Sequence, residues 1–280
     1  MLRIKNQAIL EELQHTDVIQ FIGVYDVFSA SIAAQHFDGI FISGFGFAAS
    51  HYGLPDIGFI SWSDIVDFVR RVRAILPQHH ILVDIDDGYA DVEVACHVVS
   101  LLESARASAV ILEDQKRPRR CGHVDGKQIM DLDEYLIKLG QVLDTRREMM
   151  VVARTDASDP KDIRRRVLAF AEAGADAVLV DGLKDLKLIR QLADEVDKPF
   201  MFNQIAGGKS PPCTLEQLHD AGVSLVNYST PCLFAAQAVI EDTMRSLKEN
   251  DGRIEVGPSQ VSVPDCNAVL YENLKRRSTQ

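Results

Sequence analysis

Short apolar runs rich in Val, Ile and Phe alternate along the chain with longer segments whose apolar residues recur at helical spacing. Runs of four to seven residues closed by polar turns read as strands, because a period of two or an unbroken apolar stretch suits a buried sheet. Eight such runs occur, at 18–24, 39–43, 81–86, 109–113, 149–154, 177–180, 200–203 and 224–227. Helical spacing fills the intervals at 27–36, 62–75, 91–105, 132–146, 160–173, 183–195, 214–221 and 231–247. In 62–75, Ile65, Val66, Val69, Val72 and Ile75 form one apolar stripe, as a helix covering a sheet requires. Asp159 before Pro160 is an N-cap followed by proline at the first helical position.

Eight strands alternating with eight helices suit a closed (β/α)8 barrel, the TIM barrel, rather than a doubly wound sheet, because the barrel leaves no sheet edge and needs no second domain. One catalytic barrel domain is therefore expected over 1–249. The tail, 250–280, is punctuated by Gly and Pro before a short amphipathic piece at 268–275 and is too small to fold alone. It is expected to pack on the barrel or on a neighbouring subunit.

Composition narrows the partners. The 280 residues hold 41 acidic against 30 basic side chains, a formal net charge of −11, so no broad basic surface exists to hold phosphate backbones or anionic lipid. Neither nucleic acid nor a membrane is expected as a partner, and no apolar run is long enough for a membrane span or a signal peptide. Five widely spaced cysteines, Cys96, Cys121, Cys213, Cys232 and Cys266, do not make a disulfide framework and fit a reducing cytoplasm.

In such a barrel the chemistry sits at the C-terminal ends of the strands. The third run ends Asp84-Ile85-Asp86-Asp87-Gly88, with Asp84 and Asp86 pointing the same way if both are on the strand, and the fourth ends Glu113-Asp114. Carboxylates crowded at one barrel end repel unless neutralised, and Mg2+ or Mn2+ suits oxygen-only ligands. The same residues also suit an ordinary turn and a loop salt bridge, and spacing alone leaves both readings open. The segment Arg119-Arg120-Cys121-Gly122-His123 places a thiol among cations, which would lower its pKa and let it exchange a proton near neutrality, unless it is an inert loop cysteine. One Cys and one His do not supply a zinc site, and Ser43-Gly44-Phe45-Gly46 lacks the pattern of a nucleophile elbow. Ser43 to Phe45 instead offers a hydroxyl and backbone N–H groups suited to a carboxylate or phosphonate.

These residues together resemble the isocitrate lyase and phosphoenolpyruvate mutase superfamily over nearly the whole chain, from Gly23-Val24-Tyr25-Asp26 to the helix after Tyr228. The shared signatures are Ser43-Gly44, Gly53-Leu54-Pro55-Asp56, Asp84-Ile85-Asp86 with Gly88, Glu113-Asp114-Gln115, Cys121-Gly122-His123 with Lys127, and Ala153-Arg154-Thr155-Asp156-Ala157. Asn203 and Gly207-Gly208-Lys209-Ser210-Pro211 complete the set. The Cys-Gly-His loop is similar to that of the carbon–carbon lyases of the superfamily, which act on 2-methylisocitrate and 2,3-dimethylmalate.

The resemblance implies Asp84 as a direct Mg2+ ligand, with Asp56, Asp86 and Glu113 reaching the ion through water. It implies that Tyr25, Ser43, Gly44 and Phe45 hold the α-keto acid part with the help of Arg154. It also implies that His123, Asn203 and Lys127 line the gate loop and second carboxylate pocket, and that Cys121 is the acid that protonates the departing carbanion. Two positions depart from the pattern. Arg119 stands where lyases carry a lysine, so an always-protonated guanidinium replaces a group that could act as a base. Asp181 stands where methylisocitrate lyases tend to have a glutamate.

The resulting expectation is a Mg2+-dependent lyase that cleaves a 2-hydroxy di- or tricarboxylate to an α-keto acid such as pyruvate plus a carboxylate. The alternatives are a phosphonate-pathway mutase or hydrolase, or an oxaloacetate decarboxylase using the same metal site, and, from another class, a catalytically silent binding barrel. Superfamily members exchange the last barrel helix between subunits, which implies a homotetramer.

Overall fold

The apolar runs pair in chain order. In the computed structural model, which describes residues 5–89, 91–124, 126–253 and 261–278, β1 (Ile19–Val24), β2 (Gly39–Ile42), β3 (His80–Asp84), β4 (Ala109–Glu113), β5 (Met150–Thr155), β6 (Ala177–Val180), β7 (Phe200–Gln204) and β8 (Val223–Tyr228) form one closed parallel barrel. Strand β8 returns to β1 with Ile22 opposite Tyr228. The helices are α1 (Lys5–Glu12), α2 (Val27–Ala33), α3 (Gly44–Phe47), α4 (Trp62–Ile75), α5 (Val92–Ser104), α6 (Leu132–Thr145), α7 (Pro160–Glu172), α8 (Leu186–Glu195), α9 (Leu215–Asp220), α10 (Pro231–Glu249) and α11 (Val263–Ser278).

Most elements match their expected spans within a residue or two, and capping explains the larger differences. Helix α8 starts at Leu186 rather than 183 because the Asp185 side chain accepts the Lys187 amide and fixes the N-cap there. Asp159 caps α7 as expected, accepting from the amides of Lys161 and Asp162. Helix α1, which sequence periodicity did not reveal, closes the barrel floor: Ile9 packs among Ile19, Phe21 and other interior residues. Helix α11 is longer than the amphipathic piece at 268–275 and lies against α2 and α4 of its own barrel, where Asn273 Nδ2 donates to Ser31 Oγ at 2.8 Å.

The interior shows how the strands build a site. The barrel interior is filled by Phe21, Phe41, Leu82, Ile111, Val152, Leu179, Met201 and Leu225, one from each strand. Because side chains on a strand alternate, the next inward position is two residues on. Those positions are Gly23, Ser43, Asp84, Glu113, Arg154, Asp181, Asn203 and Asn227. An apolar layer is thus capped at the C-terminal end by a layer that is polar everywhere except at Gly23. There the β1 and β8 ends come so close that a Cβ would overlap the Ser229 carbonyl.

Helix α10 behaves differently from the others. None of its 19 residues is buried, and Val239, Ile240 and Met244 are 64%, 57% and 55% exposed. Beside it an apolar groove of about 670 Å3 runs between β1, β8 and α2, lined by Ile22, Phe28, Ile32, Phe37 and Ala235. No helix among the described residues is long and apolar enough to cross a membrane.

Gly23→Ala is expected to destabilise the barrel by about 1–3 kcal/mol or more, the range for forcing a methyl into a filled space. Urea unfolding of the variant against the parent measures this, and an unchanged midpoint would show that the β1–β8 seam is looser than described.

Candidate active site

The polar layer at the strand ends meets three loops, and the enclosed chamber is lined by Ser43, Phe45, Asp56, Asp84, Arg119, Cys121, Gly122, His123, Arg154, Asp181 and Asn203 among others. The third-strand carboxylates converge for a reason other than strand alternation. Strand β3 ends at Asp84, and Asp86 lies in the following turn with φ +52°. Both nonetheless face Gly44, where a Cβ would sit 3.4 Å from Asp84 Oδ2 and 3.6 Å from Asp86 Oδ1.

Arg119 is buried in the middle of the acidic cluster, at 2% exposure. Its Nε donates to Glu113 Oε1 at 2.9 Å, its Nη1 to Asp56 Oδ1 at 2.5 Å, and its Nη2 lies 3.2 Å from Asp86 Oδ1. Burial raises the affinity of Asp84, Asp86 and Glu113 for protons, and the guanidiniums of Arg119 and Arg154 only partly oppose it; Glu113 is pushed up to about 7. Arg119 itself is held charged, because these carboxylates outweigh the cost of its burial.

A second network is centred on Arg154. Its guanidinium donates to Asp156 at 3.0 and 3.2 Å and to Asp181 at 3.0 Å, and lies 3.2 Å from Glu113 Oε2. Lys127 Nζ donates to Asp156 Oδ1 at 2.7 Å and to the Gly122 carbonyl at 2.6 Å. Burial works against the charge of Asp181, but Arg154, His123 and Asn203 outweigh it and hold its carboxyl well below the usual range. Asp114 supports this side from beneath: it accepts Thr155 Oγ1 at 2.6 Å, the Asp156 amide at 3.0 Å and Arg166 Nη1 at 3.1 Å.

The loop carrying Cys121 and His123 is pressed into the barrel mouth. Gly122 lies so close to Asp181 and Arg154 that a Cβ would overlap both. His123 Nδ1 accepts the Lys209 amide at 2.8 Å, and its Nε2 lies 3.3 Å from Asn203 Nδ2 and 3.5 Å from Asp181 Oδ1. With this loop in place the free space of the chamber is small, about 30 Å3.

The thiol differs from expectation. Cys121 has its pKa pushed up to about 11, not lowered, because burial dominates and Asp56 and Asp181 add to it, opposed by the His123 backbone and Arg154. The cation that adjoins it in sequence, Arg119, is directed at Asp56, Asp86 and Glu113 instead.

Other sequence-derived residues are placed as follows. Gly44 faces the Asp84–Asp86 pair, and the Ser43 hydroxyl accepts the Gly46 amide as the cap of α3. Lys127 lies at the chamber rim and also lines a neighbouring cavity of about 550 Å3 with Asp156, Lys184 and Lys209. Tyr25 lines the apolar groove beside α10 rather than the chamber. Sequence reasoning quoted Asp156 in a signature without a role, whereas it ties Arg154 to Lys127, and it missed Asn227 and Ser229, which both donate to Asn203 Oδ1, at 3.0 and 2.6 Å. Asn227 was detectable, since it is the β8 member of the same two-residue step that yields Asp84 and Arg154.

The residues fit a divalent cation on three grounds. Among the described residues, Asp56, Asp84, Asp86, Glu113, Asp156 and Asp181 face Arg119, Arg154 and Lys127 as fixed positive charges. Two buried oxygens, Asp86 Oδ1 and Glu113 Oε2, accept no hydrogen bond among the described residues. All donors are carboxylate oxygens, as a hard cation prefers. Among the described residues no three His, Cys, Asp or Glu side chains stand close enough for a ready-made cage, and the guanidinium of Arg119 lies between three of the candidate carboxylates.

A family model described as phosphoenolpyruvate phosphomutase matches residues 10–248. A 2-methylisocitrate lyase of Bacillus subtilis (strain 168) is 34% identical over 245 residues, covering 85% of this chain and 80% of the relative. Among solved structures, a 2,3-dimethylmalate lyase superposes with a TM-score of 0.90 at 25% identity, covering 98% of this chain and 95% of that one. An oxaloacetate acetylhydrolase bound to 3,3-difluorooxalacetate also gives 0.90 at 25% identity, covering 98% and 97%.

In the metal-free protein Cys121 is expected to resist alkylation by iodoacetamide at pH 8 and to become reactive only as pH approaches about 11. Peptide mass mapping of Cys121 against pH checks this, and half-maximal labelling below pH 9 would contradict the raised thiol pKa.

Proposed function

The chain belongs to the phosphoenolpyruvate phosphomutase family, and from that premise we propose that it is a Mg2+-dependent carbon–carbon lyase of the 2-methylisocitrate or 2,3-dimethylmalate type. Its substrate would be a 2-hydroxy di- or tricarboxylate and its products an α-keto acid such as pyruvate and a simple carboxylate. The observation that carries this reading is the presence of Cys121 in the same closed chamber as Asp84 and Arg154. A carbon–carbon lyase needs an acid for the departing carbanion as well as a site for the keto acid, and here both face one space.

Asp84, Asp86, Asp56 and Glu113 would hold the cation, which fits Mg2+ and also Mn2+. When bound it would supply positive charge that favours loss of the 2-hydroxyl proton to one of the surrounding carboxylates and formation of the new carbonyl. The chain's own groups account for the rest. Arg154, fixed by Asp156 and Asp181, offers charge to the keto-acid carboxylate beside Ser43, Gly44 and Phe45. His123, Asn203 and Lys127 stand where the second carboxylate can be received. As the C2–C3 bond breaks, its electron pair remains on C3 beside that carboxylate. The Cys121 Sγ–H, still protonated at neutral pH, delivers its proton to C3. The closed loop excludes water that would otherwise compete as proton donor.

The assembly we propose is a homotetramer in which α10 docks on a neighbouring barrel. Support comes from a 19-residue helix with no buried residue beside a groove of about 670 Å3 where a last barrel helix would pack. Sedimentation at micromolar concentration should give a tetramer, and a monomer would refute the exchange. Five free cysteines support a reducing, cytoplasmic setting.

Keto-acid release from 2-methylisocitrate, 2,3-dimethylmalate, isocitrate, oxaloacetate and phosphonopyruvate tests the activity. Turnover is expected on one of the first two, with chelation abolishing it. Oxaloacetate belongs in the panel because the acetylhydrolase structure superposes as well as the lyase one. Cys121→Ser should lower kcat by ~10²-fold or more with KM little changed, the range for removal of a positioned general acid. A parental rate in that variant, or cleavage of oxaloacetate alone, would replace the lyase reading.

A further inference from the structure

Of the three aspartates that end the third apolar run, Asp84 and Asp86 face the carboxylate cluster while Asp87 is held from the other side, although all three are buried. The Asp87 carboxylate is taken by Arg117, from the segment after β4, whose Nε donates to Oδ2 and Nη2 to Oδ1, each at 2.8 Å. Asp87 Oδ1 also accepts the Tyr89 amide at 3.2 Å, and the Asp87 carbonyl accepts Lys138 Nζ of α6 at 2.8 Å. The turn gripped in this way is one that residues with side chains seldom adopt: Asp86 and Tyr89 have φ of +52° and +73°, with Gly88 at +84° between them. Left-handed backbone at a non-glycine residue persists only where the surroundings over-determine it. Neither Arg117 nor Lys138 lines the chamber, and the Arg117 side chain is 43% exposed, so its removal leaves no hole in the core.

Resting on the proposed metal site, we propose that the Arg117–Asp87 ion pair, with Lys138 on the Asp87 carbonyl, is a brace that holds the left-handed turn and so positions Asp86 for the divalent cation. The paired, parallel hydrogen bonds fix the plane of the Asp87 carboxylate and with it the backbone one residue from Asp86. On the inner side the Asp86 amide donates to Asp84 Oδ1 at 3.1 Å and its carbonyl accepts the Glu113 amide at 2.9 Å, so the braced turn sets three of the cluster's carboxylate-bearing residues relative to one another. Arg117 is thus a positioning residue that acts through Asp87. Its charge and its brace have opposite effects on metal affinity. A cation beside the cluster repels a second cation, and Asp87 without its partner adds a free carboxylate, so on charge alone the loss of Arg117 tightens metal binding. Loss of the brace weakens it, because Asp86 is released from its place.

The experiment titrates the metal-free full chain with Mn2+ alone, following free Mn2+ by its electron paramagnetic resonance signal. Arg117→Met is expected to bind Mn2+ about tenfold more weakly than the parent, the low end of the range for residues that orient metal ligands, with Arg117→Lys in between. Lys116→Met removes a neighbouring cation that lies 3.9 Å from Asp131 and Glu134 instead, and is expected to bind as the parent does or slightly more tightly. Asp87→Asn should weaken binding as Arg117→Met does, and the double variant should be no weaker than the weaker single one, because the pair acts as a unit. Equal or tighter binding by Arg117→Met, or losses that add in the double variant, would overturn the brace while leaving the metal site standing. Failure of the parent to bind Mn2+ at millimolar concentration would overturn the metal site and this inference with it. A second arm follows amide hydrogen exchange of the peptide spanning 84–89 in the metal-free protein, which should rise several-fold in Arg117→Met and not in Lys116→Met. Exchange left unchanged by Arg117→Met would overturn the brace even if its Mn2+ affinity fell.

Discussion

The constraint on which the rest of the structure depends is charge compensation inside a closed barrel mouth. Carboxylates from β3, β4 and the loops at the strand ends converge in a buried space, and among the described residues three fixed cations oppose six of them. In a medium that screens poorly, such an excess of one sign must be met by protons, by a metal ion or by rearranged side chains. The (β/α)8 frame makes the crowding unavoidable, because its two-residue period sends an inward side chain from every strand to the C-terminal end, in layers of four from alternate strands.

The compensation is divided between two arrangements of different stiffness. Around Arg154, Asp156 and Asp181 the partners belong to strand ends, and Asp114 with Thr155 and Arg166 anchors them from outside the barrel. That half is built to keep one geometry, as a group that orients a substrate carboxylate needs. Around Asp56, Asp84, Asp86 and Glu113 the compensating charge comes largely from a loop side chain, Arg119, which pairs with Asp56 and Asp86 and shares Glu113 with Arg154. The chemistry proposed uses both: a fixed cation to hold the keto-acid end, and a carboxylate cluster for the metal that activates it.

The barrel was legible because each apolar run and each cap carries its own signal: Asp159 with Pro160 starts a helix wherever it stands, and eight alternations leave few topologies. Residues on strands were legible for the same reason, and Ser43, Asp84, Glu113, Arg154, Asp181 and Asn203 all lie one inward step above the apolar layer. What could not be read were properties that arise only from assembly. The thiol pKa of Cys121 depends on burial and on Asp56 and Asp181, which are 65 and 60 residues away in sequence. The destination of Arg119 depends on three carboxylates from separate segments, so a cation expected to act on its sequence neighbour acts elsewhere. Helix α1 was missed because, among the described side chains of that region, Ile9 and Leu13 pack on the barrel interior, too few to make a periodic pattern.

The most direct test of this account is a crystal structure of the protein grown with Mn2+ and no substrate, with the ion located by its anomalous scattering. The account predicts a peak beside Asp84 and within reach of Asp56, Asp86 and Glu113. A cluster that holds no ion would contradict it.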